Sequence, residues 1–428
     1  MTTKNKDLWA RREDAVAGGV GVMHQKFIKT AKNAEIWDVE GNRYIDLAAG
    51  IAVNNTGHSD PRIVEAVKAQ LDNYSHSCFQ VNPYESYIEL AEKLNEAAPG
   101  DTPKKSIFLT TGAEAVENSI KIARAATGRP GIIAFKGAFH GRTMMGMALT
   151  GKVAPYKVGF GPFPADVFHV PFPIEYHGIT DQMALDGLDA AFKSDIEPSR
   201  VAAIIIEPVQ GEGGFYQASP SFMQSLRKVC DEHGILLICD EIQTGFARTG
   251  KMFATEHTGV EPDIMTVAKA MAGGFPISAV VGKADIMDAA APGGLGGTYG
   301  GSPMGCVAGL KVFEIIKSDK LCERAQEIGN LFYERLRNMR SNQITCLGDI
   351  RNVGAMIAVE LVKDGDADKP DAALTAAIVK KAAEKGLILL SCGVRGNVVR
   401  FLPALTASDE ILNEGLDILE ETLNELTS

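Results

Sequence analysis

Between residues 60 and 320 the chain repeats one pattern: a short run rich in isoleucine and valine, then a stretch long enough for a helix. The clearest runs are 132–135, 201–206, 235–239 and 264–267, and helix-like segments such as 221–233 lie between them. A strand that is apolar at every position has to be covered on both faces, which suits a parallel sheet flanked by helices. The pattern therefore predicts an α/β fold built on a mostly parallel, doubly wound sheet.

The remainder reads differently. Residues 35–47, EIWDVEGNRYIDL, predict two strands joined by a turn at Glu40-Gly41-Asn42. After 320, an amphipathic helix over 323–340 precedes strands at 356–361, 388–390 and 398–402. A last helix over 411–426 carries Leu412, Leu416, Leu419, Leu423 and Leu426 on one side, and Thr406 with Asp409 offers it a capping box. A chain of 428 residues exceeds the usual size of one core. The expected division is an N-terminal segment 1–59 belonging to a small domain, a large domain 60–320 and a smaller α+β domain 321–428.

Charge and cysteine content exclude several functions. Lys and Arg number 43 against 54 Asp and Glu, a net charge of −11. Nucleic acid and anionic membranes favour a basic face, so neither is an expected partner. The seven cysteines are scattered and contain no C-x-x-C, which suggests neither a disulfide framework nor a metal site. The opening MTTKNKDLWARRED has no apolar core of a secretory signal, and no apolar run approaches the length of a membrane span. A cytoplasmic setting is expected.

The chemistry lies where the strands end. In a doubly wound sheet, ligands bind outside the carboxyl ends of the strands. The run GILLICDEIQTG ends on Asp240 and Glu241. Lys269 follows the run at 264–267 between Ala268, Ala270, Met271 and Ala272, a setting that would lower its pKa and free it to form Schiff bases. FLTTGAEAVENSIKIARAAT reads as a strand, a glycine turn and a helix whose first N–H groups attract an anion. AIIIEPVQGEGGFY places Glu207 at a strand end and Glu212 in a glycine-rich loop. Taken singly, these acids are turn or cap residues, the lysine is solvated surface and the glycine turn is an ordinary connection. Taken together they match the needs of pyridoxal 5′-phosphate: an amine for the aldehyde, an acid for the ring nitrogen, a helix start for the phosphate and an aromatic cover in Phe139.

The chain resembles the class III, or ω-amino acid, aminotransferases of the fold-type I pyridoxal phosphate superfamily, particularly their 4-aminobutyrate branch. The resemblance spans nearly the whole chain through AGIAVNNTGH, TTGAEAVENSIKIAR, AFHGRT, EPVQGEGGFY, CDEIQTGFARTGKMFA, AKAMAGGFPISAVVG, GGTYGGSPMGC and RFLPALT. It implies catalytic roles for Lys269, which would condense with the coenzyme's aldehyde, and Asp240, which would pair with the pyridine nitrogen. Gln243 would bond the ring hydroxyl side, Phe139 would stack on the ring, and Gly112 and Ala113 would hold the phosphate. Thr298 of the neighbouring subunit would complete the phosphate site, implying a homodimer, alone or as a dimer of dimers.

The implied reaction moves the amino group of 4-aminobutyrate to 2-oxoglutarate, giving succinate semialdehyde and glutamate. Arg142 would bind the distal carboxylate of both substrates and Arg400 the α-carboxylate of glutamate. Glu212 would neutralise Arg400 when no α-carboxylate is present. Ile51 stands where ornithine-type members carry a tyrosine, so a monoamine donor fits; the plain alternative is that it packs the core. Arg142 also reads as a surface arginine near a turn, and Arg400 as an ordinary strand residue. His140 fits a packing role better than that of a base, and Glu207 a supporting one.

Other readings are an acetylornithine- or ornithine-type transaminase, another ω-amino acid transaminase acting on 5-aminovalerate or β-alanine, an aminomutase, and a scaffold with a decayed site. A nucleotide site is suggested by G-x-x-x-x-G-K at 245–251 and again at 146–152. Met252 and Val153 follow where a magnesium-binding Ser or Thr is required.

Overall fold

The computed structural model describes residues 3–342 and 344–427. A seven-stranded sheet runs in the spatial order 104–109, 278–283, 264–267, 236–240, 201–206, 131–135 and 167–170. Five neighbouring strands, from 264–267 to 167–170, are mutually parallel. Ser278–Lys283 runs against both of its neighbours, so Lys104–Leu109 points the same way as the parallel five. All six residues of Val201–Ile206 and all five of Gly131–Phe135 are buried, as strands covered on both faces must be.

The covering helices start and stop at recognisable signals. Gly112–Thr127 begins at Thr111 with a capping box to Glu114 and ends at Gly128, whose φ of 66° suits a residue without Cβ. Pro220–His233 begins after Ser219, with Pro220 in its first turn, and ends at Gly234 with φ 61°.

Two four-stranded sheets complete the fold. The first joins Ile28–Lys32, Glu35–Asp38 and Arg43–Asp46 to Leu387–Ile388, so the two ends of the chain share one sheet. Its predicted turn forms because Asp38 accepts from the backbone N–H groups of Glu40 and Asn42, both at 2.9 Å. The second is antiparallel and holds Leu347–Val353, Met356–Leu361, Val398–Phe401 and Leu390–Cys392.

Two local expectations are corrected. The strand expected at 388–390 is two strands: Leu387–Ile388 lies in the first small sheet and Leu390–Cys392 in the second, with buried Leu389 between them. The box at Thr406 and Asp409 does not form. The amides of Ile411 and Leu412 in the helix Asp409–Thr427 donate to Ser408, while Thr406 donates to Asn33 Oδ1 at 2.6 Å, 373 positions away in sequence.

Candidate active site

A cavity of about 390 Å³ lies past the carboxyl ends of the strands. Thr110 to Ala113 enter it from the strand 104–109, Phe139 to Gly141 from beyond 131–135, and Glu207 from 201–206. Asp240 closes the strand 236–240, and Lys269 stands two residues after 264–267. Lys269, Asp240, Gln243, Gly112, Ala113, Phe139 and Glu212, all singled out from the sequence, line this one space.

Asp240 is 3% exposed and rigidly held. Its Oδ2 meets His140 Nδ1 at 2.7 Å, and its Oδ1 accepts from Thr266 Oγ1 at 3.0 Å and from the Ile242 amide at 3.1 Å. A carboxylate offers about four lone-pair sites, so three donors leave one for a further partner. His140 is itself buried, and burial opposes its protonation. The hydrogen bond and charge of Asp240 outweigh that and raise its pKa. The role of His140 is therefore to hold Asp240, a partnership across 100 positions that no local pattern announces.

The adjacent Glu241 answers to different needs. It is fully buried and accepts from Thr244 Oγ1, from the amides of Ala254 and Thr255, and from Thr255 Oγ1. It ties the chain after the strand to the turn at 254–257, and it does not line the cavity.

Lys269 occupies a left-handed backbone conformation, φ 46°, uncommon for a residue with a side chain and typical of functional sites. Burial pushes its amine down to about 8, with Arg400 adding to the effect and Glu212, Glu207 and Asp240 opposing it. About a tenth of such amines are neutral at pH 7, against roughly one in 3,000 for an ordinary lysine. Glu207 is pushed up to about 7, chiefly by burial. It accepts from the amides of Phe139 and Gly211, both at 2.9 Å, and so joins the Phe139 turn to the Glu212 loop.

Glu212 and Arg400 form an ion pair of 2.6 Å, with Arg400 only 3% exposed. Burial alone would raise the Glu212 carboxyl, but Arg400 brings it below its ordinary value; Arg400 is raised by the same contact against its own burial. Arg142 is exposed beside a turn and does not line the cavity. Its guanidinium lies over the Tyr156 ring, 5.2 Å from the centroid. Ile51 is 43% exposed, so it is not a core residue. It lies at φ 66° in a left-handed stretch from Ala49 to Ala52. Thr298 is exposed on the loop before Gly300 and is not part of this chain's own cavity. Sequence reasoning passed over Tyr156, whose segment carries no recognisable motif, and Thr266, a polar residue inside the run 264–267 whose hydroxyl reaches Asp240.

The glycine pattern at 245–251 is not a nucleotide loop: residues 241–253 are turns and no α-helix follows them. Arg248 within it is fully buried and donates to the carbonyls of Ala355 and Pro403 and to Asn55, docking three distant segments. Among the described residues no group of three or more His, Cys, Asp or Glu is placed to hold a metal ion. Nor is any helix there long and apolar enough to cross a membrane.

The cavity fits pyridoxal phosphate. Helix N-termini leave their first N–H groups unpaired; Thr111 and Glu114 satisfy the neighbours, leaving those of Gly112 and Ala113 at the cavity wall. Gln243 is 7% exposed with a buried Oε1 that has no partner among the described residues, as a site awaiting a polar ligand group requires. A desolvated amine, a held carboxylate and a helix start beyond one mostly parallel sheet define a fold-type I pyridoxal phosphate enzyme.

The comparisons narrow this. The family model for class-III aminotransferases matches residues 16–423. The chain belongs to the class-III aminotransferases, whose coenzyme is pyridoxal 5′-phosphate. It is 54% identical over 426 residues to the 5-aminovalerate aminotransferase DavT of Pseudomonas aeruginosa, covering 100% of both chains. It is 52% identical over 421 residues to the 4-aminobutyrate aminotransferase GabT of Escherichia coli, covering 98% of this chain and 99% of that one. Among solved structures, a Bacillus anthracis aminotransferase matches with a TM-score of 0.91 at 30% identity, over 99% of this chain and 100% of that one. The ornithine aminotransferase of Toxoplasma gondii matches with a TM-score of 0.88 at 29% identity, over 100% and 96%.

Proposed function

We propose that this aminotransferase moves the amino group of 4-aminobutyrate to 2-oxoglutarate, giving succinate semialdehyde and glutamate. The observation that carries the reading is the ion pair that buried Arg400 makes with Glu212, which lines the cavity together with Lys269. An ω-amino acid has no carboxylate beside its reacting carbon, so it needs Arg400 neutralised. Glutamate has one, and needs the guanidinium fork free. A carboxylate on a glycine-rich loop serves both by moving.

Bound in the cavity, pyridoxal phosphate supplies an aldehyde and an electron-withdrawing ring that makes the adjacent substrate C–H acidic. The protein does the rest. The neutral fraction of Lys269 Nζ takes up the proton from the substrate carbon. Asp240, fixed by His140 and Thr266, would keep a negative charge beside the ring nitrogen. The amides of Gly112 and Ala113 would hold the phosphate, Phe139 would cover the ring, and Gln243 would bond its hydroxyl side. Arg142 would take the distal carboxylate of either substrate. Ile51 offers no hydroxyl for a second amino group. Thr298 would serve the site of a second copy, making the enzyme a homodimer. Seven free thiols suit a reducing, cytoplasmic setting.

The five-carbon donor 5-aminovalerate is the second reading, favoured by the 54% identity to a 5-aminovalerate aminotransferase. Half-reactions with 4-aminobutyrate, 5-aminovalerate, β-alanine and ornithine, followed by the coenzyme's visible absorbance, rank the donors. Preference for ornithine would reject both readings. In the same assay Glu212→Ala is expected to lower kcat/KM for the ω-amino acid by about 10- to 100-fold relative to glutamate, because a buried unpaired guanidinium is costly. Equal losses with both substrates would contradict the exchange.

A further inference from the structure

We infer that Tyr156 is a specificity-determining positioning residue: its hydroxyl latches Glu212 onto Arg400, and its ring supports Arg142. The inference rests on the proposed exchange of Glu212 for a substrate carboxylate and adds a residue that neither motif nor comparison assigns.

Tyr156 is 8% exposed in the segment that follows the helix Met144–Leu149. Its hydroxyl donates to Glu212 Oε2 at 3.2 Å, while Arg400 Nη1 donates to Oε1 of the same carboxylate at 2.6 Å. Glu212 is thus gripped at both oxygens, by a charged donor and by a neutral one. The Tyr156 ring lies 4.9 Å from Phe139, between centroids, and carries the Arg142 guanidinium at 5.2 Å. One side chain therefore touches the carboxylate that covers one substrate arginine and the guanidinium of the other. Burial, then the charge of Glu212, pushes the phenol up to about 12, so it stays a donor at any working pH.

The consequence follows from population arithmetic. A dicarboxylate that occupies Arg400 binds only after Glu212 has left. Its apparent affinity therefore falls by the fraction of molecules in the open arrangement. A hydrogen bond made only in the closed arrangement lowers that fraction. A monocarboxylate held at Arg142 does not require opening and is indifferent to the hydroxyl.

The test uses the holoenzyme and two unreactive probes, glutarate as dicarboxylate and butyrate as monocarboxylate, titrated calorimetrically. Tyr156→Phe keeps the ring and removes the hydroxyl. It is expected to tighten glutarate about 5- to 10-fold and to leave butyrate within about twofold. Tyr156→Leu also removes the ring, and is expected to weaken butyrate about 3- to 5-fold through Arg142. A glutarate-to-butyrate affinity ratio unchanged in Tyr156→Phe overturns the latch. Glu212→Ala separates the two layers. If it raises the ratio while Tyr156→Phe does not, only the role of Tyr156 falls; if neither moves it, the Glu212 exchange falls as well.

Discussion

Lys269→Ala is expected to reduce amino transfer by at least about 10⁴-fold, with the far-UV circular dichroism unchanged. Two proposed functions would vanish together, the amine that engages the coenzyme and the base that moves the substrate proton, and positioned acid–base groups alone account for about 10²- to 10⁴-fold. The amine suits both because burial brings it down to about 8. Lys269→Arg is not expected to restore activity, since a guanidinium stays protonated under all working conditions. Single-turnover absorbance with 4-aminobutyrate measures the loss. A reduction below about 100-fold would place the base elsewhere.

Asp240→Asn is expected to cost about 10²- to 10³-fold in kcat/KM for both half-reactions, the scale of losing one preorganised electrostatic partner. The amide keeps the volume of the carboxylate and removes its charge. It also leaves His140 without the interaction that keeps its pKa raised, so burial would hold that imidazole neutral. Both substrates should suffer alike, in contrast to the one-sided effect of Glu212→Ala. Near-normal turnover in steady-state kinetics would show that the carboxylate does not serve the ring.

The parts legible in the sequence are those with a short-range cause. Runs such as 201–206 announce a buried strand because every position is apolar, and the residue after such a run falls at the sheet's carboxyl edge. That logic located Asp240, Lys269 and the turn at Gly112 in one cavity. The helices 112–127 and 220–233 are bounded by caps at Thr111 and Gly128 and at Ser219 and Gly234, local signals that the sequence reading did not use.

What escaped depends on contacts between remote segments. Thr406 looked like a helix cap, but Asn33 claims its hydroxyl. Leu389 looked like the middle of a strand; the chain instead changes sheets there, because one neighbour lies in the N-terminal hairpin and the other in the C-terminal sheet. Ile51 is 43% exposed in a left-handed stretch of backbone, which removes the plain alternative that it packs the core. Tyr156 carries no motif, and its contacts with Glu212 and Arg142 exist only after the strand ends converge.

The central claim is that the coenzyme sits in the cavity between Asp240 and Lys269, joined to the latter. Borohydride reduction of the holoenzyme, followed by proteolysis and mass spectrometry, tests it most directly. The account predicts the mass of the reduced coenzyme on the peptide bearing Lys269 and on no other lysine. A label on another lysine, or a protein that takes up no coenzyme, would contradict it.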